Sequence, residues 1–343
     1  MSKIKSRSVS VTRRTVLAGG SAVLAMPFVS RLSMAQEFVM KVAHTEGVGT
    51  PITNAFDEWV AAINAGSDGR IDAQHFPAAQ LGGLSELLDG SRIGTVQATT
   101  AGPDSEEAIA PEIAAFGGAP GFIYQDEAHV DRVLQGELGQ QVSDIARQKT
   151  GVEFVAYGET GFRHILSKTP VRSLADLDGL KIRVPQLRIW VDFWELLGAS
   201  PTPLPYSEQY SALSTGIIDA LDSDVFSILG FKFYEQAKNL TLTGHWFLPK
   251  AVRVNAAWLD SLPEDLQALV RQAAKDAFAK QREINRAQAS AALEELKGLG
   301  VEVFELPPEE IAKMREVTAP LFEDFGSKSP ETAEMIKKIQ DLG

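Results

Sequence analysis

The sequence predicts an α/β fold arranged as a two-lobed clamshell, with one long helix reaching from lobe to lobe. Three observations predict it. Strand–helix–strand units recur, they fall in two separate stretches of the chain, and an uninterrupted helix-forming run follows the second. In the first stretch, residues 38–43 read as a short strand, followed by a Gly/Thr/Pro loop from Gly47 to Pro51. Ile52, Ala55, Phe56, Trp59, Val60 and Ile63 then recur at helical spacing. Ser67-Asp68-Gly69 turns the chain into a strand over 71–76, and a further pair places a helix over 81–88 and a strand over 94–100.

The second stretch repeats the rhythm. Strands are expected over 152–157 and 164–167, and Ser173-Leu174-Ala175-Asp176 carries a helix-capping signal. A strand over 180–184 stops at Pro185, and a helix over 190–197 runs to Gly198. Another helix over 207–214 ends at Gly216 before a strand over 217–221. Leu262-Pro263-Glu264-Asp265 opens the long helix, rich in Ala, Gln, Lys and Glu, which reaches about Lys297 before a strand over 298–304. On this reading lobe I takes residues 36–160 with 249–288, and lobe II takes 161–248 with 289–343. Such a clamshell would hold any ligand between its lobes, where mobile domains usually place their sites.

Residues 1–35 read as an export leader. Lys3, Lys5, Arg7, Arg13 and Arg14 make a basic start, an apolar run spans 16–29, and Ser33-Met34-Ala35 precedes a mature start at Gln36. Twin arginines, Arg13-Arg14, stand just before the apolar run and form a twin-arginine export address. A membrane anchor is the alternative, but the run is short and is broken by Gly19, Gly20 and Pro27. Six of the 33 basic residues and none of the 45 acidic ones lie in the leader, so its removal takes the net charge from −12 to −18. Such acidity disfavours nucleic acid and anionic lipid as partners, because both demand clustered basic charge. With no cysteine, the mature chain has no site for a lipid anchor beside the cleavage point and no disulfide. No later stretch approaches 18 uninterrupted apolar residues. The expectation is a soluble periplasmic protein.

Catalytic patterns are missing. No two of His44, His75, His129, His164 and His245 stand four apart, and without cysteine no zinc spacing exists. There is no G-x-S-x-G and no phosphate loop. Gly47-Val48-Gly49 imitates the start of a dinucleotide fingerprint, but Ile52 stands where its third glycine belongs. We expect no enzyme, no cofactor and no metal; an exported hydrolase or redox enzyme is the remaining alternative.

The sharpest chemical signal is cationic. In the strand over 180–184, Leu180, Ile182 and Val184 share one face while Lys181 and Arg183 share the other. Periodicity alone fits an anion site or a half-buried strand with a solvated basic edge. Around this strand lie Phe76-Pro77 with Gln80-Leu81-Gly82, Gly179-Leu180-Lys181-Ile182-Arg183-Val184-Pro185, and Leu197-Gly198-Ala199-Ser200-Pro201. Ser207-Glu208-Gln209-Tyr210, Lys232-Phe233-Tyr234-Glu235, Thr241-Leu242-Thr243-Gly244-His245 and Leu262-Pro263-Glu264-Asp265-Leu266 follow in order. Together these resemble the solute receptors of tripartite ATP-independent periplasmic (TRAP) transporters, of the family named after the dicarboxylate receptor. The resemblance covers nearly the whole mature chain.

The resemblance implies the clamshell of periplasmic binding proteins, a small organic anion as ligand, and the subunits of a membrane permease as partners. It implies that Arg183 pairs bidentately with the ligand's carboxylate, a geometry lysine cannot reproduce. Arg163 matches a second arginine reaching the same carboxylate or a nearby hydroxyl; its alternative is a hinge ion pair. Gln186 and Tyr206 match an amide and an aromatic that face the ligand, with loop packing as the alternative. His44 and Gln80 are placed at strand ends facing the cleft, and His44 reads equally as a satisfied structural histidine. Trp190, Phe193, Trp194 and Leu197 form a stripe that is more simply core.

One departure stands out. The family commonly reads Asp-Gly-x-Glu-Asn-Pro where this chain reads Asp219-Ala220-Leu221-Asp222-Ser223-Asp224, so Ser223 replaces a ligand-facing asparagine. Asp222 and Asp224 either meet hydroxyls or an amine on the ligand or are exposed helix-start residues. The acidic positions of sialic-acid receptors appear as Gly83 and Gly102, which argues against that ligand. A sugar acid such as a uronate or aldonate is the expected ligand; a C4-dicarboxylate or 2-oxo acid is the alternative.

Overall fold

The structure is a computed structural model that describes residues 37–343; the export leader expected over residues 1–35 lies outside the described residues. In chain order its regular elements are β1 (Phe38–Ala43), α1 (Pro51–Gly66), β2 (Ile71–Phe76), α2 (Leu84–Ile93), β3 (Ala98–Ala101), α3 (Pro111–Phe116), α4 (Glu127–Leu134) and α5 (Glu137–Thr150). Then come β4 (Val152–Ser167), β5 (Lys181–Val184), α6 (Arg188–Leu196), β6 (Ser200–Pro203), α7 (Gln209–Thr215), β7 (Ala220–Ser223) and α8 (Val225–Gly230). The chain continues through β8 (Asn239–Asn255), α9 (Ala256–Ser261), α10 (Glu264–Gly298) and β9 (Glu302–Glu305). It closes with α11 (Pro308–Thr318), α12 (Pro320–Gly326) and α13 (Pro330–Asp341).

Two long antiparallel strands, β4 and β8, organise everything else. They lie in the middle of a single sheet of order β2-β1-β3-β8-β4-β7-β5-β6, with β9 added beside β8. On one side β1, β2 and β3 run parallel; on the other β5, β6 and β7 run parallel. Ala101, at the carboxyl end of β3, is paired with Ala251, and so is Tyr157 of β4. Ser223, at the carboxyl end of β7, is paired with His164 of β4. Both parallel sets therefore aim their carboxyl ends at the stretch of β4 between Tyr157 and His164. Ligand crevices in α/β sheets open at such ends. This is the two-lobed architecture expected from the sequence, with α10 crossing both halves: Val270, Ala274 and Phe278 pack with β1 and α1, while Ala292 and Leu296 pack with Leu221 and Ile228.

The middle of β4 is irregular. Its register against β8 slips between Glu159 and Phe162, and Gly161 there has φ 93°, open to glycine at little cost. What holds this bulged backbone is a side chain. Gln281 of α10 accepts from Glu159 N (3.1 Å) and donates to Glu159 O (2.7 Å), substituting for a neighbouring strand. Close approach of α10 requires Gly158, where a Cβ would meet Ile52 and Phe278 at 2.8 Å.

Several elements differ from expectation. The two strands expected over 152–157 and 164–167 are one strand, because the bulged stretch between them is carried through by Gln281. β8 was not anticipated, since Gly244 and Pro249 interrupt its pattern. Helix α2 starts at Leu84 instead of residue 81, after Ala78, Ala79 and Gly82 take up positive φ. β3, β7 and β9 each sit one to four residues later than read. Helices α3 to α5 and α11 to α13 were not read at all.

Replacing Gln281 by the near-isosteric Leu orphans a buried N–H and a buried C=O. The expected loss is about 2–6 kcal/mol, from roughly 1–3 kcal/mol for each group. Urea unfolding of Gln281→Leu against wild type checks it; an unchanged midpoint would remove Gln281 from this role.

Candidate ligand-binding site

Where the strands converge, the sequence supplies two arginines. Arg163 comes from β4 just past the bulge, and Arg183 from β5, whose neighbour β7 lies between them in the sheet. Arg163 Nε donates to Asp222 Oδ2 (2.6 Å) and its Nη2 donates to the Asp222 carbonyl (2.6 Å). Its guanidinium also stands 5.3 Å from the Trp190 ring centre. This is a buried, doubly tied ion pair. Burial alone would push the Asp222 carboxyl up, but Arg163, and then His245 with Nε2 3.5 Å away, hold it well below the usual range.

Arg183 is different. It is 4% exposed, and its Nε (3.0 Å) and Nη2 (2.7 Å) donate to the carbonyl of Leu204. The Tyr206 ring centre lies 5.5 Å from the guanidinium. Among the described residues no carboxylate comes within ion-pair distance of it, although Asp222 acts on it through space. Burial lowers the Arg183 guanidinium to about 10, with Arg163 adding to the effect. Asp222, in contact, and Asp224, through space, thus balance Arg163, whereas Arg183 touches no carboxylate among the described residues. A buried cation in that state is stabilised by an added anion.

The other expected residues fall into two groups. Tyr206 lies beneath Arg183 in an aromatic group with Phe231 and Phe233. Ser223, fully buried on β7, has a hydroxyl without a partner among the described residues. His44 is also fully buried, but both its ring nitrogens are engaged: Nδ1 accepts from Glu46 N (3.2 Å) and Nε2 meets His75 Nε2 at 2.7 Å. Gln186 and Gln80 are exposed loop residues. The solvated basic edge considered for β5 holds for Lys181 and fails for Arg183. Asp224 does start a helix, α8, accepting from Ser227 N (2.8 Å), but it is buried, not exposed; Asp222 belongs to a strand.

Sequence reading missed the opposite wall. Glu46, after β1, is ion-paired at 2.7 Å with Lys250 of β8, and Asp104, after β3, accepts from the Trp190 indole (2.8 Å). Burial raises Asp104 to about 6. Their positions at strand carboxyl ends were the available signal, but β8 itself had not been recognised.

Residues 42–329 match the sequence pattern of a family described as bacterial extracellular solute-binding protein, family 7. The chain belongs to that family. A solute-binding protein of Roseobacter denitrificans is 34% identical over 258 residues, covering 72% of this chain and 75% of its own. The 2,3-diketo-L-gulonate-binding periplasmic protein of Escherichia coli is 31% identical over 237 residues, 69% and 71% of the two chains. Among solved structures, a sugar acid binding protein of Advenella mimigardefordensis in complex with galactonate superposes with TM-score 0.83 at 28% identity, over 89% of this chain and 97% of that one. A TRAP periplasmic solute-binding protein of Sulfurospirillum deleyianum with bound succinate gives 0.82 at 26%, over 90% and 99%. The family is one of solute receptors, and among the described residues no helix is long and apolar enough to cross a membrane.

Two outcomes are expected. Asp222→Asn leaves Arg163 buried and uncompensated and should lose about 3–5 kcal/mol, whereas Arg163→Met with Asp222→Leu should recover much of it; calorimetric unfolding of both variants without ligand decides. His44 is lowered from 6.5 to about 4, first by burial, with His75 and Lys250 adding and Glu46 and Asp57 opposing. Its unfolded form then binds more protons between those values, so its contribution is whole above pH 6.5 and declines as pH falls toward 4. His44→Gln should therefore show a shallower loss of stability between pH 7 and 5, and parallel slopes would refute the assignment.

Proposed function

We propose that this chain is the extracytoplasmic solute receptor of a TRAP transporter, that it captures a sugar acid such as an aldonate or uronate between its lobes, and that it delivers this ligand to a membrane permease. The observation that carries the reading is the buried Arg183 guanidinium without a carboxylate of its own. One ligand carboxylate supplies the missing charge, and the planar fork of arginine matches it bidentately. Arg163, already neutralised by Asp222, contributes field and orientation more than a second charge. A C4-dicarboxylate is the alternative, supported by the succinate-bound neighbour. Its second carboxylate would require another free cation, and the cations nearest at hand, Arg163 and Lys250, both have carboxylate partners. That favours a monoanion with hydroxyls.

The receptor works by closure. The lobes divide near residues 160/161 and 248/249 and along α10 near 288/289, and a carboxylate that touches both sides favours the closed form by its differential affinity. Nothing in this role asks for bond chemistry, so the protein is a receptor and not an enzyme. The twin-arginine leader sends it to the periplasm, where it acts as a freely diffusing carrier.

A thermal-shift panel of aldonates, uronates, C4-dicarboxylates and 2-oxo acids tests this. A true ligand at 100 times its Kd should stabilise by about 2.7 kcal/mol. Arg183→Lys keeps the charge and loses the fork, so its affinity for that ligand should fall about 10- to 100-fold, given roughly 1.5–3 kcal/mol for a charged hydrogen bond. If no carboxylate stabilises the protein after carried-over ligand is removed, the receptor reading is wrong.

A further inference from the structure

The wall opposite Arg183 is built as firmly as Arg183 itself. The Glu46 backbone is tied at both ends: its N–H donates to His44 Nδ1 (3.2 Å), and its carbonyl accepts from Ala78 N (3.0 Å). His44 O accepts from Ala79 N (2.9 Å). Ala78 and Ala79 hold φ 52° and 60°, a left-handed conformation that disfavours residues with a Cβ. Two successive strained residues persist only where the surroundings over-determine them, and such strain clusters at ligand clamps. Here it fixes the loop that carries Glu46.

The Glu46 side chain is 2.7 Å from Lys250 Nζ through Oε1. Its second oxygen and the two remaining Lys250 N–H groups have no partner among the described residues. The charge of Arg163 acts on Glu46 as well as on Asp222, and Glu46 and Asp224 both act on Tyr206. Geometry agrees: at Gly47, the residue after Glu46, a Cβ would stand 3.0 Å from the Phe231 ring, whose centre is 4.9 Å from that of Tyr206, and Lys250 is paired with Gly158 beside the bulge that precedes Arg163.

We infer that Glu46 and Lys250 form a hydroxyl-reading subsite that takes two adjacent hydroxyls at the end of the ligand remote from its carboxylate. One hydroxyl donates to the free Glu46 oxygen, and the oxygen of its neighbour accepts from Lys250. An adjacent pair of hydroxyls offers one donor for the free Glu46 oxygen and one acceptor for a free Lys250 N–H. A second carboxylate at the same place meets the negative charge of Glu46, and an unsubstituted chain leaves both partners unsatisfied. His44 is on this account a positioning residue for Glu46, and Ala78–Ala79 its brace. The inference rests on the carboxylate reading above and adds to it the polarity of the far end.

Titration calorimetry with D-galactonate, D-glucuronate and succinate on four proteins tests it. Wild type should prefer at least one of the two sugar acids to succinate. Glu46→Gln should lose that sugar acid 10-fold or more while succinate binding holds or improves, so that the preference collapses. Arg183→Lys should weaken every acid that binds. Should Glu46→Gln fold poorly, Glu46→Leu with Lys250→Leu removes both charges together and must show the same collapse. Retention of the preference within two-fold in the folded variants overturns the subsite, as does an equal loss for all three acids. A wild type that prefers succinate overturns it too. A wild type that binds none of these or any other carboxylate instead defeats the receptor reading beneath it.

Discussion

Arg183 is a guanidinium withdrawn from water and paired with a carbonyl and an aromatic face instead of a carboxylate. Each of those contacts is weaker than the ion pair the charge could make. The Leu204 carbonyl engages two nitrogens, and the ring of Tyr206 contributes about 0.5–2 kcal/mol by cation–π attraction. Desolvating an ion, even after relaxation, costs several kcal/mol. The fold sustains the difference because the same group is where an anion gains most. Arg163 has the opposite arrangement, with Asp222 permanently in place, so the site has one fixed pair beside one open cation.

Such a cation can be held only if its neighbours cannot move to reach it. The sheet supplies that rigidity through its two long strands. Because β4 and β8 run through both halves, the carboxyl ends of two separate parallel sets meet at one stretch of backbone. That stretch cannot be regular: it must bend between two halves, and it carries the bulge at Glu159 to Phe162. Gln281 satisfies the bent backbone from the middle of α10, and Arg286 of the same helix binds the Glu159 carboxylate at 2.8 Å. The helix that crosses both halves is thus attached to the sheet at the point where the halves diverge. Arg163, which follows the bulge on the same strand, is thereby set close to this attachment.

How much of this could be read from the sequence follows from the range of the interactions. The strand that carries Arg183 was visible because it stops at Pro185 and announces itself over five residues, whereas the role of Arg183 came from the family resemblance and not from periodicity. Its burial was not visible, because Leu204 and Tyr206 arrive from a different connection. Asp222 and Asp224 read locally as exposed helix-start residues or as partners of ligand hydroxyls or an amine; the first is matched to Arg163, 59 residues away, and only pairing of β7 with β4 reveals that. Glu46 and Lys250 are 204 residues apart, and one of them lies on a strand whose glycine and proline disguise it. Helical periodicity is a local property and was read well for α1 and α10. A strand pairing is a relation between segments, and one sequence does not display it.

The net charge of −12 makes the location of the cations consequential. An approaching anion meets an unfavourable field at long range, and that field is screened beyond a Debye length of about 8 Å at physiological salt. Inside the cleft the relevant charges are buried and screened far less. Recognition is therefore confined to contact range, where geometry discriminates, instead of being shared with diffuse attraction that would gather any anion. The acidic exterior and the open guanidinium act in opposite senses: one disfavours nonspecific accumulation of anions, and the other, on the receptor reading proposed above, is reserved for a carboxylate that fits beside Tyr206.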